Sequence, residues 1–190
     1  MPATDIVPIH RSDNSGTTYN FTDYLQKVST EWRTKIGRGV AVNWPGGLSG
    51  KGSSGVAAVL SQTNGGITYV DVAYSLANHF SIAAIQNRAG SFQLPGLRQI
   101  AAAAASIKRV GTDNYGISIV EPARSQPLAY PICTFTYVIL PTQTDKAQLL
   151  KQFVNWALTK GQTYGPKLLF QPIPPIVLSA SLRTLARVHS

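Results

Sequence analysis

The sequence predicts an α/β fold, in which short strands alternate with helices. The segments DIVPI (5–9) and VAVNW (40–44) are rich in β-branched and apolar residues, as strands are. Between them, Phe21, Leu25 and Val28 recur at spacings of four and three, which is one stripe of a helix. An alternating order of this kind is built from parallel strands joined by right-handed crossovers.

The elements follow in order along the chain. The first helix is predicted from about Thr17 to Val28, with Trp32 one turn further along the same stripe. RQIAAAAASIK (98–108) is predicted as a helix because alanine has the highest intrinsic helix propensity. Gly, Pro, Ser and Asn are frequent between residues 111 and 131, which favours a linker there. The other predicted elements are strands at 67–72 and 133–140 and helices near 56–63, 146–160 and 176–188.

The composition is that of a globular protein with an excess of positive charge. The 190 residues suffice for one ordinary domain or two small lobes, and 44% of them are hydrophobic. A formal net charge of +9 favours anionic ligands or surfaces. No run of three or more Lys or Arg residues occurs, so we expect no nucleic-acid partner.

Targeting and membrane segments are not predicted in this sequence. The N-terminal residues MPATDIVPIH are neither basic nor continuously apolar, so no signal peptide is predicted in this chain. No stretch approaches the roughly 20 apolar residues of a membrane helix. Cys133 is the single cysteine and lies in an apolar segment, where a small buried hydrophobic residue is expected.

The segment HRSDNSGTT (10–18) has the features of an anion site. A helix predicted to start near Gly16 exposes unpaired N–H groups, and its dipole favours negative charge there. Ser15 and Thr17 add hydroxyl groups, and Gly16 lets an anion approach the backbone closely. Arg11 brings a permanently charged planar fork that matches the oxygens of a tetrahedral oxyanion, and Asp13 can hold that fork in place. These five residues, the anion cradle, predict a phosphate or sulfate site.

The anion cradle and the glycine-rich segment at 50–55 each have an alternative interpretation. Ser15 could be an ordinary N-cap, with Arg11 as a surface charge. GKGSSG (50–55) matches the pattern of a dinucleotide-binding loop, but Lys51 is followed by Gly52, which excludes a Walker A loop. A tight turn at a helix entrance accounts better for these glycines.

Catalysis is poorly supported by the sequence. A nucleophilic Ser15 would need a general base, and His10 is close only along the chain. No paired carboxylates and no His or Cys residues at metal-ligand spacing occur, so neither a catalytic residue, a metal nor a cofactor is predicted.

Four segments together resemble one family. RSDNSGTTYNFTDYL, VNWPGGLSGKGSSGVAAVL, GGITYVDVAYSL and YPICTFTYVIL are similar to the phosphate-binding proteins that feed the bacterial high-affinity phosphate ABC transporter. The resemblance covers residues 5 to 165, in order. It implies a fold like that of the periplasmic binding proteins, in which two α/β lobes close over dehydrated phosphate.

The resemblance also implies roles for the residues of the anion cradle. Arg11 would bind phosphate oxygens through its guanidinium group, and Asp13 would orient it. Ser15 would contribute its hydroxyl and amide. Gly16 and Thr17 would contribute amides, with the Thr17 hydroxyl as a further donor. The loop at 46–55 would be scaffold rather than a direct contact of the ligand.

Members of the family are nearly twice as long as this chain. The resemblance therefore implies that residues 1–120 are a partial second lobe that carries the anion cradle, and that residues 121–190 are the hinge and a return segment of the first lobe. The N-terminal portion supplies the family's other phosphate ligands, including an aspartate that selects protonated phosphate over sulfate. We expect weak, unselective phosphate binding by this chain alone and apolar sheet edges that need a partner.

The leading hypothesis is a phosphate-binding component of a phosphate-uptake ABC transporter. Its expected partners are inorganic phosphate, the membrane permease and a chain that supplies the N-terminal lobe, in the periplasm or another extracytoplasmic location. The first alternative is a vestigial fragment that serves as a structural or partner-binding protein. The second alternative is a Ser15-dependent hydrolase.

Overall fold

The computed structural model describes residues 3–111 and 117–190, and it divides into two compact units. The first unit is Met1–Ala83 and the second is Ala84–Ser190. The predicted boundary near residue 120 concerns the lobes of a complete binding protein, and it stays a prediction. Part of the predicted linker, residues 112–116, lies outside the described residues.

A three-stranded parallel sheet organises the first unit. Its strands are β1 (Val7–Arg11), β2 (Leu48–Gly50) and β3 (Gly66–Thr68), in the order β2-β1-β3. The helices α1 (Gly16–Val28), α2 (Thr30–Lys35), α3 (Gly52–Ser61) and α4 (Val72–Ala77) connect or follow these strands. The predicted parallel α/β arrangement is therefore present in this unit, with β1 as the central strand.

The apolar core of the first unit is small. Ile9 on β1 and Val56 and Ala57 on α3 are its buried hydrophobic residues among those described. The buried face of α1 is polar instead, and it comprises Thr18, Thr22 and Asp23. These polar side chains are satisfied by hydrogen bonds, Thr18 with the Tyr69 hydroxyl and Thr22 and Asp23 with residues 38 and 39.

The second unit contains more helix than strand. It contains a short antiparallel hairpin of β4 (Ile85–Gln86) and β5 (Phe92–Gln93), followed by the alanine-rich helix α5 (Leu97–Ala104). Helix α6 (Ala147–Leu158) continues into a 3₁₀ helix (Lys160–Leu168), and α7 (Pro175–Ala186) follows. The core cluster consists of Ala103, Ala104, Ile119, Ala129 and Cys133. Burial raises the pKa of the Cys133 thiol to about 12, which agrees with a packing role.

Two predicted strands are wrong, and two other elements differ from the prediction. Residues 40–44 form no strand, and the second strand is β2, a few residues later. Residues 133–140 form no strand either, because within the described chain they have no neighbouring strand with which to pair. The strand predicted at 67–72 is shortened to β3, and Trp32 lies on the separate helix α2. None of the described helices has the length and the apolar character needed to cross a membrane.

Candidate anion site

The anion cradle lies at the carboxyl end of the central strand. Arg11 is the last residue of β1, and α1 begins five residues later at Gly16. Ligands of parallel α/β sheets bind at this edge, because loops and helix N-termini converge there. The fold therefore brings the five predicted residues together at one end of one sheet.

Asp13 holds Arg11 with two hydrogen bonds. Arg11 Nε donates to Asp13 Oδ1 at 2.8 Å, and Nη2 donates to Oδ2 at 2.6 Å. These bonds raise the pKa of Arg11 and hold the pKa of Asp13 well below its ordinary value. Both groups are therefore charged at neutral pH, and the side chain of Arg11, 12% exposed, is fixed in direction.

The Nη1–Nη2 edge of the guanidinium group, opposite the aliphatic part of the side chain, still has N–H donors for a ligand. Asp13 occupies the edge formed by Nε and Nη2, so the edge formed by Nη1 and Nη2 still has two outward N–H groups. Ser53 Oγ lies 3.5 Å from Nη1, which is at the limit of a hydrogen bond. This second edge has the planar fork geometry that binds two oxygens of a tetrahedral anion.

Ser15 caps helix α1. Its Oγ accepts from Thr17 N at 3.1 Å and from Thr18 N at 3.2 Å, and its own N–H donates to the Val40 carbonyl at 2.9 Å. Within the described residues, the Gly16 N–H has no acceptor, and a Cβ built at Gly16 would meet nothing within 4 Å. The N-cap and the anion cradle are therefore compatible, because the cap leaves an exposed donor at the first helical position.

The GKGSSG loop (50–55) contacts the anion cradle at Asp13. Gly52 N–H, the first of α3, donates to Asp13 Oδ1 at 2.9 Å, so Asp13 sits at a second helix N-terminus. Gly52 has φ +68°, and a Cβ at Gly50 would lie 2.5 Å from the Gly55 carbonyl carbon. The glycines therefore make a tight strand-to-helix turn, and the loop orients Asp13 and Arg11.

Sequence reasoning missed Tyr69, which follows β3. Its hydroxyl accepts from Arg11 N–H at 3.1 Å and lies 2.7 Å from Thr18 Oγ1. The strand predicted at 67–72 includes Tyr69, but its pattern gave no indication of these contacts. Tyr69 is 58 positions from Arg11, and parallel pairing of β1 with β3 is what brings them together.

The neighbouring histidine belongs to an aromatic stack. The His10 ring stacks on Trp44 with centroids 4.9 Å apart, and its Nδ1 lies 3.2 Å from the Arg11 carbonyl oxygen. In the part of the chain that the structure describes, no hydrogen bond joins Ser15 to a histidine. No group of three or more potential metal ligands occurs among the described residues.

Most of this chain matches one known class of protein. Residues 1–160 match the family described as the PBP superfamily domain. Three solved structures share the fold at 18–20% identity, each covering 95% of this chain. One is a high-affinity periplasmic protein (PfluDING) bound with phosphate, with a TM-score of 0.68 over 57% of its length, and another is a human phosphate-binding apolipoprotein, with a TM-score of 0.69 over 58%. The expected PBP-like α/β fold is confirmed.

Two sequence relatives are more similar to this chain than these structures are. Phosphate-binding protein PstS of Xylella fastidiosa (strain Temecula1) is 40% identical over 178 residues, which are 92% of this chain and 48% of that protein. PstS of Pasteurella multocida is 35% identical over 94% of this chain and 52% of its own length. This chain belongs to the PBP superfamily and is similar to the PstS phosphate-binding proteins, and it spans about half the length of the curated relatives it matches.

Proposed function

We propose that this chain binds inorganic phosphate at the anion cradle as part of a phosphate-binding protein of an ABC transporter. The observation that carries the proposal is the bidentate Arg11–Asp13 pair beside the exposed N-terminus of α1. The relatives named phosphate-binding protein PstS support the choice of ligand. The high-affinity relative of known structure is described as periplasmic, and we propose a periplasmic or other extracytoplasmic location for this chain.

Each residue of the cradle contributes one kind of contact. Arg11 binds two phosphate oxygens through its Nη1–Nη2 edge, while Asp13 keeps it oriented. The Gly16 N–H donates to the anion, and the dipole of α1 favours its charge. The Ser15 hydroxyl donates its hydrogen to the phosphate while its oxygen still caps α1. The Thr17 hydroxyl is a further donor, and the Thr17 N–H can be shared between Ser15 Oγ and the ligand.

Gly16 of the cradle is exposed to water, and Arg11, Asp13 and Thr17 are partly exposed. Charge-assisted hydrogen bonds are worth roughly 1.5–3 kcal/mol each when they are shielded, and less when they compete with solvent. Asp13, the carboxylate of the cradle, already accepts hydrogen bonds from Arg11 and from the Gly52 N–H, so it is not free to accept one from protonated phosphate. We therefore infer weak binding with little preference for phosphate over sulfate.

An NMR titration tests this proposal. The ¹⁵N-labelled chain is titrated with sodium phosphate at low salt while the amide signals of Gly16 and Thr17 are followed. We expect saturable shifts of both signals, and at least tenfold weaker binding for Arg11→Ala, because the variant loses its charged contacts. Arg33→Ala is the matched control, since Arg33 is exposed on α2 and its loss changes the net charge equally.

The titration also has clear contrary outcomes. If the wild-type signals of Gly16 and Thr17 stay unchanged up to tens of millimolar phosphate, the proposed phosphate site is refuted. Equal losses for Arg11→Ala and Arg33→Ala would mean that only the overall positive charge attracts phosphate. Sulfate is titrated in parallel, and tight phosphate binding with strong rejection of sulfate would contradict the inferred half-site.

A binding role without turnover agrees with the surroundings of Ser15. Its Oγ accepts two backbone N–H groups, and the nearest histidine in sequence is stacked on Trp44. A nucleophilic serine needs a base that removes its proton. We therefore propose a solute-binding module, with the membrane permease of an ABC transporter as the partner of the complete protein.

We further propose that a second polypeptide, corresponding to the part of PstS that this chain does not match, covers the second unit. Apolar residues of the unpaired segment 133–140 are exposed, with Val138 at 60% and Ile139 at 93%. Helix α6 exposes Phe153 and Trp156, one turn apart. An unpaired β-branched segment and an apolar helix face are what a missing neighbouring strand and its packing would leave uncovered.

Light scattering tests the proposed partner. The chain alone should self-associate, and the Ile139→Lys, Phe153→Lys double variant should be closer to monomeric. Adding the unmatched half of the Xylella fastidiosa relative, produced separately, should convert the wild-type chain to a one-to-one complex. A wild-type chain that stays monomeric and ignores the added half would contradict the proposal.

A further inference from the structure

We infer that Tyr69 is a positioning residue of the phosphate site, because its hydroxyl ties the strand that carries Arg11 to the helix that carries the amide donors. The inference rests on the proposed function. Tyr69 contacts the anion cradle at the main-chain N–H of Arg11, and it does not itself bind the phosphate. It fixes the distance between Arg11 at the end of β1 and the first turn of α1.

The hydroxyl of Tyr69 has one partner on each side. It accepts the Arg11 main-chain N–H at 3.1 Å, at the end of β1. It lies 2.7 Å from Thr18 Oγ1, in the first turn of α1. A tyrosine hydroxyl can accept one hydrogen bond and donate another, so both contacts form at once.

The ring of Tyr69 stacks on two aromatic neighbours. Phe21 of α1 stacks on it with centroids 4.7 Å apart and an interplanar angle of 18°. Trp44 stacks with centroids 5.7 Å apart and an angle of 22°. Stacked rings of this kind fix the position of the hydroxyl, so the two hydrogen bonds meet at a rigid point.

Thr18 connects this point directly to the donors. It is almost fully buried, and its N–H donates to Ser15 Oγ at 3.2 Å. A shift of Thr18 therefore moves the cap and the first turn of α1 relative to Arg11. Anion contacts from two separate elements depend on their spacing to within about half an ångström, so losing the Tyr69 bridge should weaken binding.

The test compares variants that remove single hydroxyl groups. Tyr69→Phe keeps the stacked ring, and we expect phosphate binding about five- to tenfold weaker in the NMR titration. Tyr74→Phe is the matched control. Tyr74 lies on α4 in the same unit, and its hydroxyl has no hydrogen bond among the described residues. The control should bind phosphate as the wild type does.

Thr18 variants separate positioning from general stability. Thr18→Ser retains the hydroxyl and should bind phosphate within twofold of the wild type, whereas Thr18→Val should lose affinity as Tyr69→Phe does. The Tyr69→Phe, Thr18→Val double variant should bind no more weakly than either single variant, because both changes remove the same bridge. Thermal unfolding of all variants is measured in parallel.

The outcomes distinguish the inference from the proposed function. If the wild-type Gly16 and Thr17 amides do not respond to phosphate, the proposed function fails and the inference fails with it. If they respond, and Tyr69→Phe binds as tightly as the Tyr74→Phe control, the proposed function stands and the positioning role is refuted. Affinity losses that merely track the loss of thermal stability across all variants, Thr18→Ser included, would also refute it.

Discussion

Asp13 accepts hydrogen bonds from two groups, and these contacts determine how its substitution should affect phosphate binding. It accepts from Arg11 and from the Gly52 N–H, so it fixes the guanidinium group relative to both β1 and α3. It is also a negative charge near a proposed anion site, and its removal would lower the repulsion of phosphate. In water this repulsion is strongly screened, whereas the orientation of Arg11 depends on direct hydrogen bonds.

The first prediction follows from that comparison. Asp13→Asn should weaken phosphate binding about fivefold, because the loss of orientation outweighs the relief of repulsion. Titration of the variant at low salt measures the effect. Binding that becomes tighter in Asp13→Asn would show that repulsion dominates and that Arg11 needs no orienting partner.

The second prediction concerns Asp23, which is buried on α1. Lys27 Nζ lies 3.0 Å and Arg38 Nη1 lies 2.9 Å from its carboxylate. Burial opposes the charge of Asp23, but hydrogen bonds from these cations and from Gln26 outweigh burial and lower its pKa. Asp23→Asn should therefore reduce the free energy of unfolding at pH 7 by about 1–3 kcal/mol.

The sign of the pH dependence follows from the lowered pKa. The contribution of Asp23 is complete above its unfolded pKa of about 3.9, and it is lost as the pH falls through the lower folded value. The stability difference between wild type and Asp23→Asn should shrink below pH 4 in urea unfolding. Glu31→Gln is the control, because its ion pair with Lys35 is exposed and should contribute at most about 0.5 kcal/mol.

Local chemistry explains which site residues the sequence could predict. Arg11, Asp13 and Ser15 act within a few positions of one another, so their order along the chain already suggests the pair and the cap. Tyr69 and Ser53 are distant in sequence, and only strand pairing and the β2–α3 turn bring them to Arg11. A single sequence contains no direct information on such pairing.

At the scale of elements, the wrong strands have physical reasons. Residues 40–44 have the composition of a strand, but the Val40 carbonyl accepts the Ser15 N–H instead of a ladder bond. The segment 133–140 has the composition of a buried strand, but composition cannot supply the neighbour that a strand needs. Helices were predicted better, because their hydrogen bonds are local and their periodicity is visible in the sequence.

The third prediction belongs to the junction of β2 and α3. Gly50→Ala should lower the free energy of unfolding by about 2–4 kcal/mol, because its Cβ would lie 2.5 Å from the Gly55 carbonyl carbon, and backbone would have to move. Gly16→Ala should be neutral or stabilising by a few tenths of a kcal/mol, since the space is open and alanine favours a helix. Urea unfolding of the two variants measures the difference, and similar values would contradict the tight turn.

At the scale of the whole molecule, the net charge of +9 should assist phosphate binding in a way that salt suppresses. We predict that raising sodium chloride from 20 to 200 mM weakens phosphate binding about three- to fivefold, because exposed charges are screened over about 10 Å at 0.1 M salt. The same NMR titration in the two buffers provides the measurement. Affinity that is independent of salt would indicate an enclosed site.

All the described contacts of the anion cradle come from one stretch of chain. The arginine, its carboxylate partner, the helix cap, the glycine turn and the tyrosine bridge lie between residues 11 and 69, inside the first compact unit. A recombination breakpoint anywhere after residue 83 would thus transfer these contacts together. Evolution can therefore exchange the rest of such a protein while inheriting the proposed anion site as a single piece.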